Sequence, residues 1–302
     1  MTPHITATLC GPDGRFFGPG PCELLRGVRQ TGSLRAAAQQ MDMAYTKALA
    51  LLRRAEAAMG CPLTRRAVGG AGGGGSQLTP EAEALLARYE AWQAACQSEA
   101  DALFNACFSD RAPRLRCVVM ASGESRRFGS NKLLADFGGE PLLRRTLRGV
   151  PAGLDPVVVT RWEPVRALCR EMGVRCLLQE SPLLSDTIRF GLAAVWQADG
   201  CLFLPGDQPL VRPQSYAALI RAFGACPVRP VRLAWQGEAG SPVLFPRCEF
   251  PALAGLQGDV GGGAVLRRLD PPARTVEAAA ACELWDADTP DRLAALLAAD
   301  TE

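Results

Sequence analysis

The chain has 302 residues, of which 48% are hydrophobic and 21% are charged, and its formal net charge is +2. This length allows two domains with substantial cores, and the near-neutral charge excludes binding of a polyanion by bulk charge, although not by a local basic patch. The only histidine is His4. Histidine-based catalytic triads and histidine acid–base catalysis are therefore excluded.

Twelve cysteines are scattered at irregular spacing, with no Cys-x-x-Cys pair. This pattern indicates reduced, mostly buried thiols, as in a cytoplasmic protein, rather than a disulfide framework or a zinc site. No continuous apolar run is close to the length of about 18 residues that a helix needs to cross a bilayer. We therefore expect a cytoplasmic protein with no membrane partner.

The N-terminal part predicts two short strands followed by helices. Residues 5–9 alternate as a strand does, and the turn at 11–14 would return the chain as a second strand. A helical pattern begins at Cys22, and a serine-capped short helix is predicted within 31–41. A stronger helix is predicted over 44–59. The spacing of the last two helices is that of a helix-turn-helix.

A basic strand (62–66), a glycine-rich loop (67–76) and a return strand then predict a wing, and a long helix starts at Pro80. Between Arg26 and Arg66 there are eight basic and two acidic residues. A local excess of this kind is the electrostatic signature of a nucleic-acid-binding surface.

This segment resembles the winged-helix domain of molybdate-responsive regulators of the ModE type. The resemblance rests on Gly32, Ser33, Ala37, Ala38, Met43, Tyr45, Pro62, Leu63, the glycine run, Leu78 and Thr79. It implies that Tyr45, Thr46, Lys47 and Arg53 face DNA. The alternative is a winged helix that serves only dimerisation or protein contact.

The helix over 80–108 carries a stripe of large side chains at spacings near three and four: Leu85, Tyr89, Trp92, Cys96, Leu103 and Cys107. The stripe could form the seam of a homodimer, as the equivalent helix does in the resembled family, or it could pack on its own domain. The polar stretch 109–114 predicts a hinge. We therefore place a winged-helix domain at 1–112 and a second domain at 113–302.

The second domain predicts alternating strands and helices. Strands are expected at 115–120, 156–160, 175–179 and 200–207, with helices over 141–150, 163–172 and 185–196 between them. This rhythm indicates an α/β fold with a doubly wound, mostly parallel sheet. Ligands of such folds bind at the carboxyl ends of the strands.

Residues 120–132, MASGESRRFGSNK, follow the first of these strands. The small residues Ala121, Ser122, Gly123 and Ser125 would let backbone N–H groups approach phosphate oxygens. Arg126, Arg127 and Lys132 would neutralise those oxygens. The chain has only two lysines, Lys47 and Lys132, against 31 arginines, so a lysine here indicates that a compact point charge is wanted.

Carboxylates occur where a metal would face such a loop. Asp207 ends the strand predicted over 200–207, and Asp286 and Asp288 precede the last predicted helix. Carboxylate oxygens opposite a phosphate loop are typical of Mg²⁺ held against a triphosphate. Taken singly, Asp207 could be a turn residue, and either of the other two could be a helix cap.

Together these motifs resemble the MocA/MobA-like nucleotidyltransferases that mature the molybdenum cofactor. The first motif matches at Ala121, Gly123, Ser125, Arg127, Gly129 and Lys132, with Ser122 in place of an alanine. The resemblance implies roles for three further groups of residues. These are the metal ligands Asp207, Asp286 and Asp288, the nucleotide-binding residues Ser185, Thr187 and Arg189, and the acceptor-binding residues Gly240, Ser241, Pro242 and Asp259. The segment 257–263 lacks the arginine that the family has there.

The resemblance implies a Rossmann-like nucleotidyltransferase fold and a transfer from CTP to a molybdopterin-type cofactor, with Mg²⁺ as cofactor. CTP is favoured over GTP because the loop Ala121-Ser122-Gly123 has a β-carbon at position 122, which would narrow the base pocket. Catalytic roles fall to Lys132, Arg127 and Asp207, and molybdoenzyme maturation proteins are possible partners. Two alternatives remain open: a regulator whose second domain only senses nucleotide or cofactor, and a nucleotidyltransferase for another small phosphorylated acceptor.

Overall fold

The computed structural model describes residues 1–67 and 75–300, which form two compact units, Met1–Asn105 and Ala106–Glu302. The division falls after Asn105 rather than after residue 112. The connection belongs to the second unit because Asp199 holds it. Arg111 Nη2 lies 2.9 Å from Asp199 Oδ2, and the backbone N–H of Arg114 donates to the same oxygen over 2.7 Å.

The first unit opens with β1 (Leu9–Gly11) paired antiparallel to β2 (Gly14–Phe17). The strand predicted over 5–9 is therefore wrong except at Leu9. Side chains of the long helix take up backbone groups of the preceding segment: Ile5 N–H donates to Gln97 Oε1, and Tyr89 Oη donates to the carbonyl of Ala7. These contacts replace a strand ladder there.

The helices of this unit are α1 (Pro19–Thr31), α2 (Leu34–Gln40), α3 (Tyr45–Met59) and α4 (Pro80–Phe108). Helix α1 starts at Pro19, before the predicted Cys22, because a proline in the first turn lacks only an N–H that the helix leaves unpaired. The predicted serine cap is confirmed: Ser33 Oγ accepts from the N–H of Ala36 over 3.3 Å.

The wing has a stem of β3 (Thr64–Ala67) paired antiparallel to β4 (Gly75–Leu78). Its predicted glycine-rich tip, residues 68–74, lies outside the described residues. In α4, Leu85 and Tyr89 pack into the winged-helix core, whereas Trp92 is 41% exposed. The first part of the predicted apolar stripe thus packs on its own unit.

The second unit is built on a seven-stranded sheet in the order β11-β9-β10-β8-β5-β6-β7. Its strands are β5 (Leu115–Ala121), β6 (Pro156–Thr160), β7 (Arg175–Leu178), β8 (Gly200–Pro205), β9 (Val231–Trp235), β10 (Glu238–Pro246) and β11 (Arg274–Glu277). Strand β10 runs antiparallel to both of its neighbours, and the other four pairings are parallel. The predicted mostly parallel α/β sheet is confirmed.

Helices cover both faces of this sheet: α5 (Leu142–Gly149), α6 (Glu163–Glu171), α7 (Leu184–Ala194), α8 (Pro213–Gly224), α9 (Phe250–Ala254), α10 (Gly263–Leu266) and α11 (Pro290–Asp300). One core joins α5, α6 and α8 to the sheet, and a second joins α7, α9 and α10 to it. Burying both faces explains why the central strands read as continuous apolar runs. No helix among the described residues is long and apolar enough to cross a membrane.

The register brings the carboxyl ends of three central strands to one edge of the sheet. Ala121 of β5 pairs with Thr160 of β6, and Met120 pairs with Pro205 of β8. The loops that follow these strands therefore start side by side. This edge contains the loop at 122–131 and Asp207.

Candidate active site

The loop after β5, residues 122–131, forms a curved stretch of accessible backbone. Ser125 and Gly129 have positive φ angles of 54° and 79°, which turn the chain back on itself. The loop closes where Ser125 Oγ accepts from the N–H of Lys132 over 3.3 Å. A β-carbon at Gly123 would meet no atom within 4 Å, so the backbone there is accessible to a ligand. This geometry suits the close approach of phosphate oxygens to N–H groups.

Part of the loop borders a cavity of about 460 Å³. The lining residues are Gly123, Glu124, Ser125, Arg126, Arg127, Lys132, Pro182, Leu183, Asp259 and Asp288. The cavity thus joins the phosphate loop to the loop before α7 and to the acidic segment before α11. Asp259, predicted for acceptor binding, lies here with the phosphate loop, where its Oδ1 accepts from the N–H of Leu184 over 3.4 Å.

Lys132 brings together two of the predicted carboxylates. Its Nζ donates to Asp207 Oδ2 and, over 2.9 Å, to Asp288 Oδ1. Arg127 Nη2 reaches Asp288 Oδ2 over 2.8 Å. The sequence placed these groups at three distant points of the chain, and the fold unites them at the carboxyl edge of the sheet.

The charges of this cluster shift one another's pKa values. Burial lowers the pKa of Lys132, but Asp207 and Asp288 together raise it above its usual value. The hydrogen bond from Lys132 lowers the pKa of Asp288. Loss of solvent around the Asp286 carboxyl, aided by the charge of Asp207, raises the pKa of Asp286 to about 6. Lys132 and Arg127 thus favour the charged form of Asp288, whereas burial favours the neutral form of Asp286.

This donor set fits a substrate-borne Mg²⁺ better than a metal caged by protein alone. Across residues 1–67 and 75–300, no three His, Cys, Asp or Glu side chains converge to hold a metal ion. Mg²⁺ usually takes one or two carboxylates and completes its octahedron with water and substrate phosphates. Asp207 and Asp288, which share Lys132 beside the phosphate loop, could supply that pair.

Glu283 fixes the two segments that carry the carboxylates, and the sequence analysis missed it. It is 0% exposed, and its Oε1 accepts from the N–H groups of Ala279 and Ala280 over 2.7 and 3.1 Å. Its Oε2 accepts from the N–H of Arg212 over 2.9 Å. A glutamate directly after the run of small residues 278–282 was the available signal.

The segments also bond to each other directly. The N–H of Ala287 donates to the carbonyl of Asp207 over 3.1 Å, and Gln208 Nε2 reaches the carbonyl of Leu284 over 3.4 Å. The positions of the carboxylates are therefore set by backbone contacts as well as by Lys132.

Ser122 faces the protein interior rather than the cavity. It is 5% exposed, and its Oγ donates to the carbonyl of Val159 over 3.2 Å. Gln179 Nε2 donates to the same Oγ over 3.1 Å and also bonds to the carbonyl of Ser181 and to Thr187 Oγ1. The expectation that the β-carbon of Ser122 narrows a base pocket finds no support in this position. Gln179 was not singled out from the sequence.

The other residues predicted near the nucleotide lie at the start of α7. Ser185 and Thr187 are buried, and within the described part of the chain Ser185 Oγ and Gln179 Oε1 have no hydrogen-bond partner. Arg189 is exposed and pairs with Asp186 on its own helix. It is absent from the lining of the cavity beside the phosphate loop.

The predicted acceptor residues at 240–242 lie on β10, behind Leu284. A β-carbon at Gly240 would come within 2.7 Å of Leu284 Cδ2, so this glycine lets the segment before α11 pack closely on the strand. The Gly240 carbonyl accepts from Arg232 Nε over 3.1 Å. Ser241 is half-buried and Pro242 is buried. Gly240 thus packs against Leu284, and none of the three residues is among those that line the cavity beside the phosphate loop.

In the first unit, the residues predicted to face DNA lie on the outer face of α3. Tyr45, Thr46, Lys47 and Arg53 are all exposed, whereas Ala48, Leu52 and Ala55 are buried. The guanidinium of Arg35 lies 5.5 Å from the centre of the Tyr45 ring, which extends the basic surface towards α2. The arrangement leaves the second helix of the helix-turn-helix available to a groove.

Comparisons with known proteins agree with this division into two parts. Residues 117–273 match the family described as MobA-like NTP transferase domain, and residues 22–83 match the bacterial regulatory helix-turn-helix protein, lysR family. Purine catabolism protein PucB of Bacillus subtilis is 29% identical over 60% of this chain and 95% of its own length. A probable molybdenum cofactor guanylyltransferase of Pyrococcus horikoshii is 28% identical over 36% of this chain and 57% of its own.

The N-terminal segment is similar to part of a protein named for molybdenum transport. Molybdenum transport protein ModE of Herbaspirillum seropedicae is 41% identical over 75 residues, which are 25% of this chain and 26% of that protein. The ModE-type specificity thus rests on a short shared segment.

Among solved structures, Rv0371c of Mycobacterium tuberculosis H37Rv superposes with a TM-score of 0.55 at 26% identity, over 61% of this chain and 98% of that one. The same protein in complex with manganese superposes with a TM-score of 0.51 at 27% identity, over 61% and 98% of the two chains. The matched family covers the phosphate loop, Asp207 and most of the sheet. The chain therefore belongs to the MobA-like NTP transferase domain family and carries a helix-turn-helix domain in front of it.

Proposed function

We propose that this chain is a molybdenum cofactor cytidylyltransferase of the cytoplasm, fused to a DNA-binding domain. The observation that carries the catalytic part is the cluster of Lys132, Asp207 and Asp288 beside the loop 122–131. A loop of accessible N–H groups and a carboxylate pair for a cation are the two requirements for holding a nucleoside triphosphate.

In this proposal the backbone of residues 121–125 and the side chains of Arg127 and Lys132 bind the CTP phosphates. Gly129 provides the positive φ that the loop needs, and the start of α7, with Ser185, Thr187 and Arg189, lies on the base side. Lys132 and Arg127 hold Asp207 and Asp288 in place in the free protein. Their positive charges are then close to where the phosphates would lie.

Asp207, with Asp288 or Asp286, would hold Mg²⁺ together with the phosphates. When bound, the cation would neutralise charge on the triphosphate. The manganese complex of the M. tuberculosis relative supports a divalent metal in this fold.

The reaction needs little proton transfer. A terminal phosphate oxygen of the molybdopterin-type acceptor attacks the α-phosphorus of CTP, the bond from that phosphorus to the bridging oxygen breaks, and pyrophosphate leaves. Because the attacking phosphate is already anionic, no general base is required, which agrees with a chain whose single histidine is His4. The protein contributes position and charge stabilisation, as in phosphoryl transfer generally.

The proposal also specifies the nucleotide substrate, which is CTP rather than GTP. It rests on the resemblance of Ala121-Ser122-Gly123 to the loops of CTP enzymes, whereas the interior position of Ser122 removes the steric argument. The relative from P. horikoshii is named as a guanylyltransferase. Both nucleotides therefore belong in the test.

The test is pyrophosphate release from CTP and from GTP with Mg²⁺ and molybdopterin. We expect turnover with CTP, and a loss of at least about 100-fold in Asp207→Ala because a charge-stabilising group is removed. Asp110→Ala, an exposed aspartate of the same unit, is the matched control and should behave as the unchanged chain. Unchanged turnover in Asp207→Ala would end the metal assignment.

Two other outcomes distinguish the alternatives. No turnover with either nucleotide, in protein shown to be folded, would favour a regulator that senses nucleotide or cofactor. Turnover with a sugar or polyol phosphate in place of molybdopterin would favour another acceptor.

The DNA-binding part rests on the exposed basic face of α3. Lys47→Ala and Arg53→Ala should each weaken binding to duplex DNA and reduce the salt slope by about 1, because each removes one phosphate contact. Arg170→Ala, an exposed arginine of the second unit, serves as control. Equal affinity and equal salt slope in all variants would restrict the winged helix to protein contact.

We also propose a homodimer that forms through α4, where Trp92 and the segment beyond it leave apolar side chains exposed. Sedimentation analysis of the full chain tests this. A monomer at micromolar concentration would contradict it. Molybdoenzyme maturation proteins are the partners that such an enzyme would serve.

A further inference from the structure

A second cavity, of about 450 Å³, borders the segment 284–289, which carries Asp286 and Asp288. Its lining residues are Leu284, Trp285, Asp286, Asp288, Thr289, Asp291, Arg292 and Ala295. Asp288 also lines the cavity beside the phosphate loop. The two cavities therefore meet at a carboxylate that pairs with Lys132.

Trp285 forms an aromatic wall of the second cavity, and the guanidinium of Arg292 covers its ring. The guanidinium of Arg292 lies 4.4 Å from the centre of the Trp285 ring, a stacked cation–π contact. Trp285 is anchored because it packs on the buried cluster of Phe137 and Leu296. Arg292 is exposed, and water can solvate its guanidinium if it leaves the ring. A flat ligand could thus take its place at small cost.

A transfer between two substrates needs two sites that meet where the bond is made. The cavity beside the loop 122–131 meets this requirement for the nucleotide, and Asp288 is one of its lining residues. The cavity of Trp285 is also lined by Asp288, so the two cavities share this carboxylate. Gly240, which sequence analysis assigned to the acceptor, packs under Leu284 of the same wall. Its contribution would then be to shape this cavity rather than to touch the acceptor.

We propose that the second cavity binds the acceptor, and that the acceptor's bicyclic nitrogen heterocycle stacks on Trp285 in place of the Arg292 guanidinium. Arg292, once displaced, pairs with the acceptor's phosphate. Asp291 offers a carboxylate for the adjacent N–H groups of an aminopyrimidinone edge. A pterin phosphate meets all three requirements, whereas a polyol phosphate has no ring to stack on Trp285. This inference rests on the proposed function, because it assigns that reaction's second substrate.

The test uses the full chain and neopterin 3′-phosphate, whose own fluorescence reports stacking on an indole. We expect saturable binding that Trp285→Leu weakens at least tenfold, which is about 1.4 kcal/mol. Trp285→Phe keeps an aromatic face and should bind within about threefold of the unchanged chain. Trp196→Leu, an exposed tryptophan that contacts Phe250, is the matched control and should bind normally.

The variant Arg292→Ala tests the contact with the ligand's phosphate separately from the stacking of its pterin ring on Trp285. It should weaken binding of the phosphorylated pterin, which loses its charge partner. Unphosphorylated neopterin should bind as tightly as to the unchanged chain or more tightly, because it has no such partner to lose and no longer has to displace Arg292 from the ring. Equal affinity for neopterin 3′-phosphate in Trp285→Leu and in the unchanged chain would overturn the proposal. So would the absence of saturable binding to the unchanged chain.

The test of this acceptor site and the test of the proposed function can fail independently of each other. Turnover of molybdopterin with an unchanged acceptor KM in Trp285→Leu would overturn this cavity as the acceptor site but leave the transferase activity established. Stacked binding of the pterin in a chain that releases no pyrophosphate would retain the site and refute the activity.

Discussion

Replacing Glu283 by glutamine should destabilise the second unit and disturb the site without touching any substrate-binding group. The carboxylate is fully buried and accepts three backbone hydrogen bonds, from Ala279, Ala280 and Arg212. A glutamine keeps one oxygen, which can serve both alanines. Its amino group must then face the N–H of Arg212, so that two donors meet.

The cost follows from the bonds. A hydrogen bond to a charged group contributes about 1.5–3 kcal/mol, and a buried N–H left without an acceptor costs about 1–3 kcal/mol. Both values include the loss of the same hydrogen bond, so they cannot be added in full. We therefore expect a loss of about 3 kcal/mol in the free energy of unfolding. For a unit of this size, 1 kcal/mol corresponds to about 2–4 °C. The melting temperature of the second unit should fall by about 6–12 °C.

The assay is differential scanning calorimetry of the full chain, with pyrophosphate release measured at a temperature where the variant stays folded. Turnover should fall, because Glu283 ties the segment of Asp286 and Asp288 to the chain that follows Asp207. Glu238→Gln, at an exposed position of β10, is the matched control and should leave both measurements unchanged.

A melting temperature of Glu283→Gln within about 2 °C of the unchanged chain would refute this reasoning. It would mean that Glu283 is not the buried acceptor on which the two segments depend. A second variant, Glu283→Ala, leaves all three N–H groups without an acceptor and should be the less stable of the two.

Three further predictions concern single side chains. Lys132→Met should lower nucleotidyl transfer at least about 100-fold with an unchanged circular dichroism spectrum, because it removes charge from the phosphate site; turnover near normal would contradict its role. Gly191→Ala should lower the unfolding free energy by about 1–3 kcal/mol in denaturant titration, since its β-carbon would overlap Val118 Cγ1; unchanged stability would show that α7 can shift off the sheet. Tyr89→Phe should cost about 1 kcal/mol in the first unit, because the buried Ala7 carbonyl loses its donor, and a gain in stability would be the opposite result.

The class of fold and the loop proposed to hold phosphates could both be predicted from the sequence. The apolar strands and the helices between them specify their elements locally, and the small residues from Ala121 to Ser125 define a loop by composition alone. The serine cap of α2 and the helix-turn-helix spacing were likewise readable, because caps and helical periodicity depend on near neighbours.

The contacts between distant side chains could not be predicted in this way, because they depend on how the elements pack. Lys132, Asp207 and Asp288 are far apart in the chain, and their contacts arise because parallel strands end at a common edge. The failure of the strand predicted over 5–9 has the same origin, since Tyr89 and Gln97 of α4 take its backbone groups. The interior position of Ser122 and the shared Asp288 between two cavities are also properties of packing. A sequence specifies the local form of each element, but contacts between distant residues follow from how those elements pack.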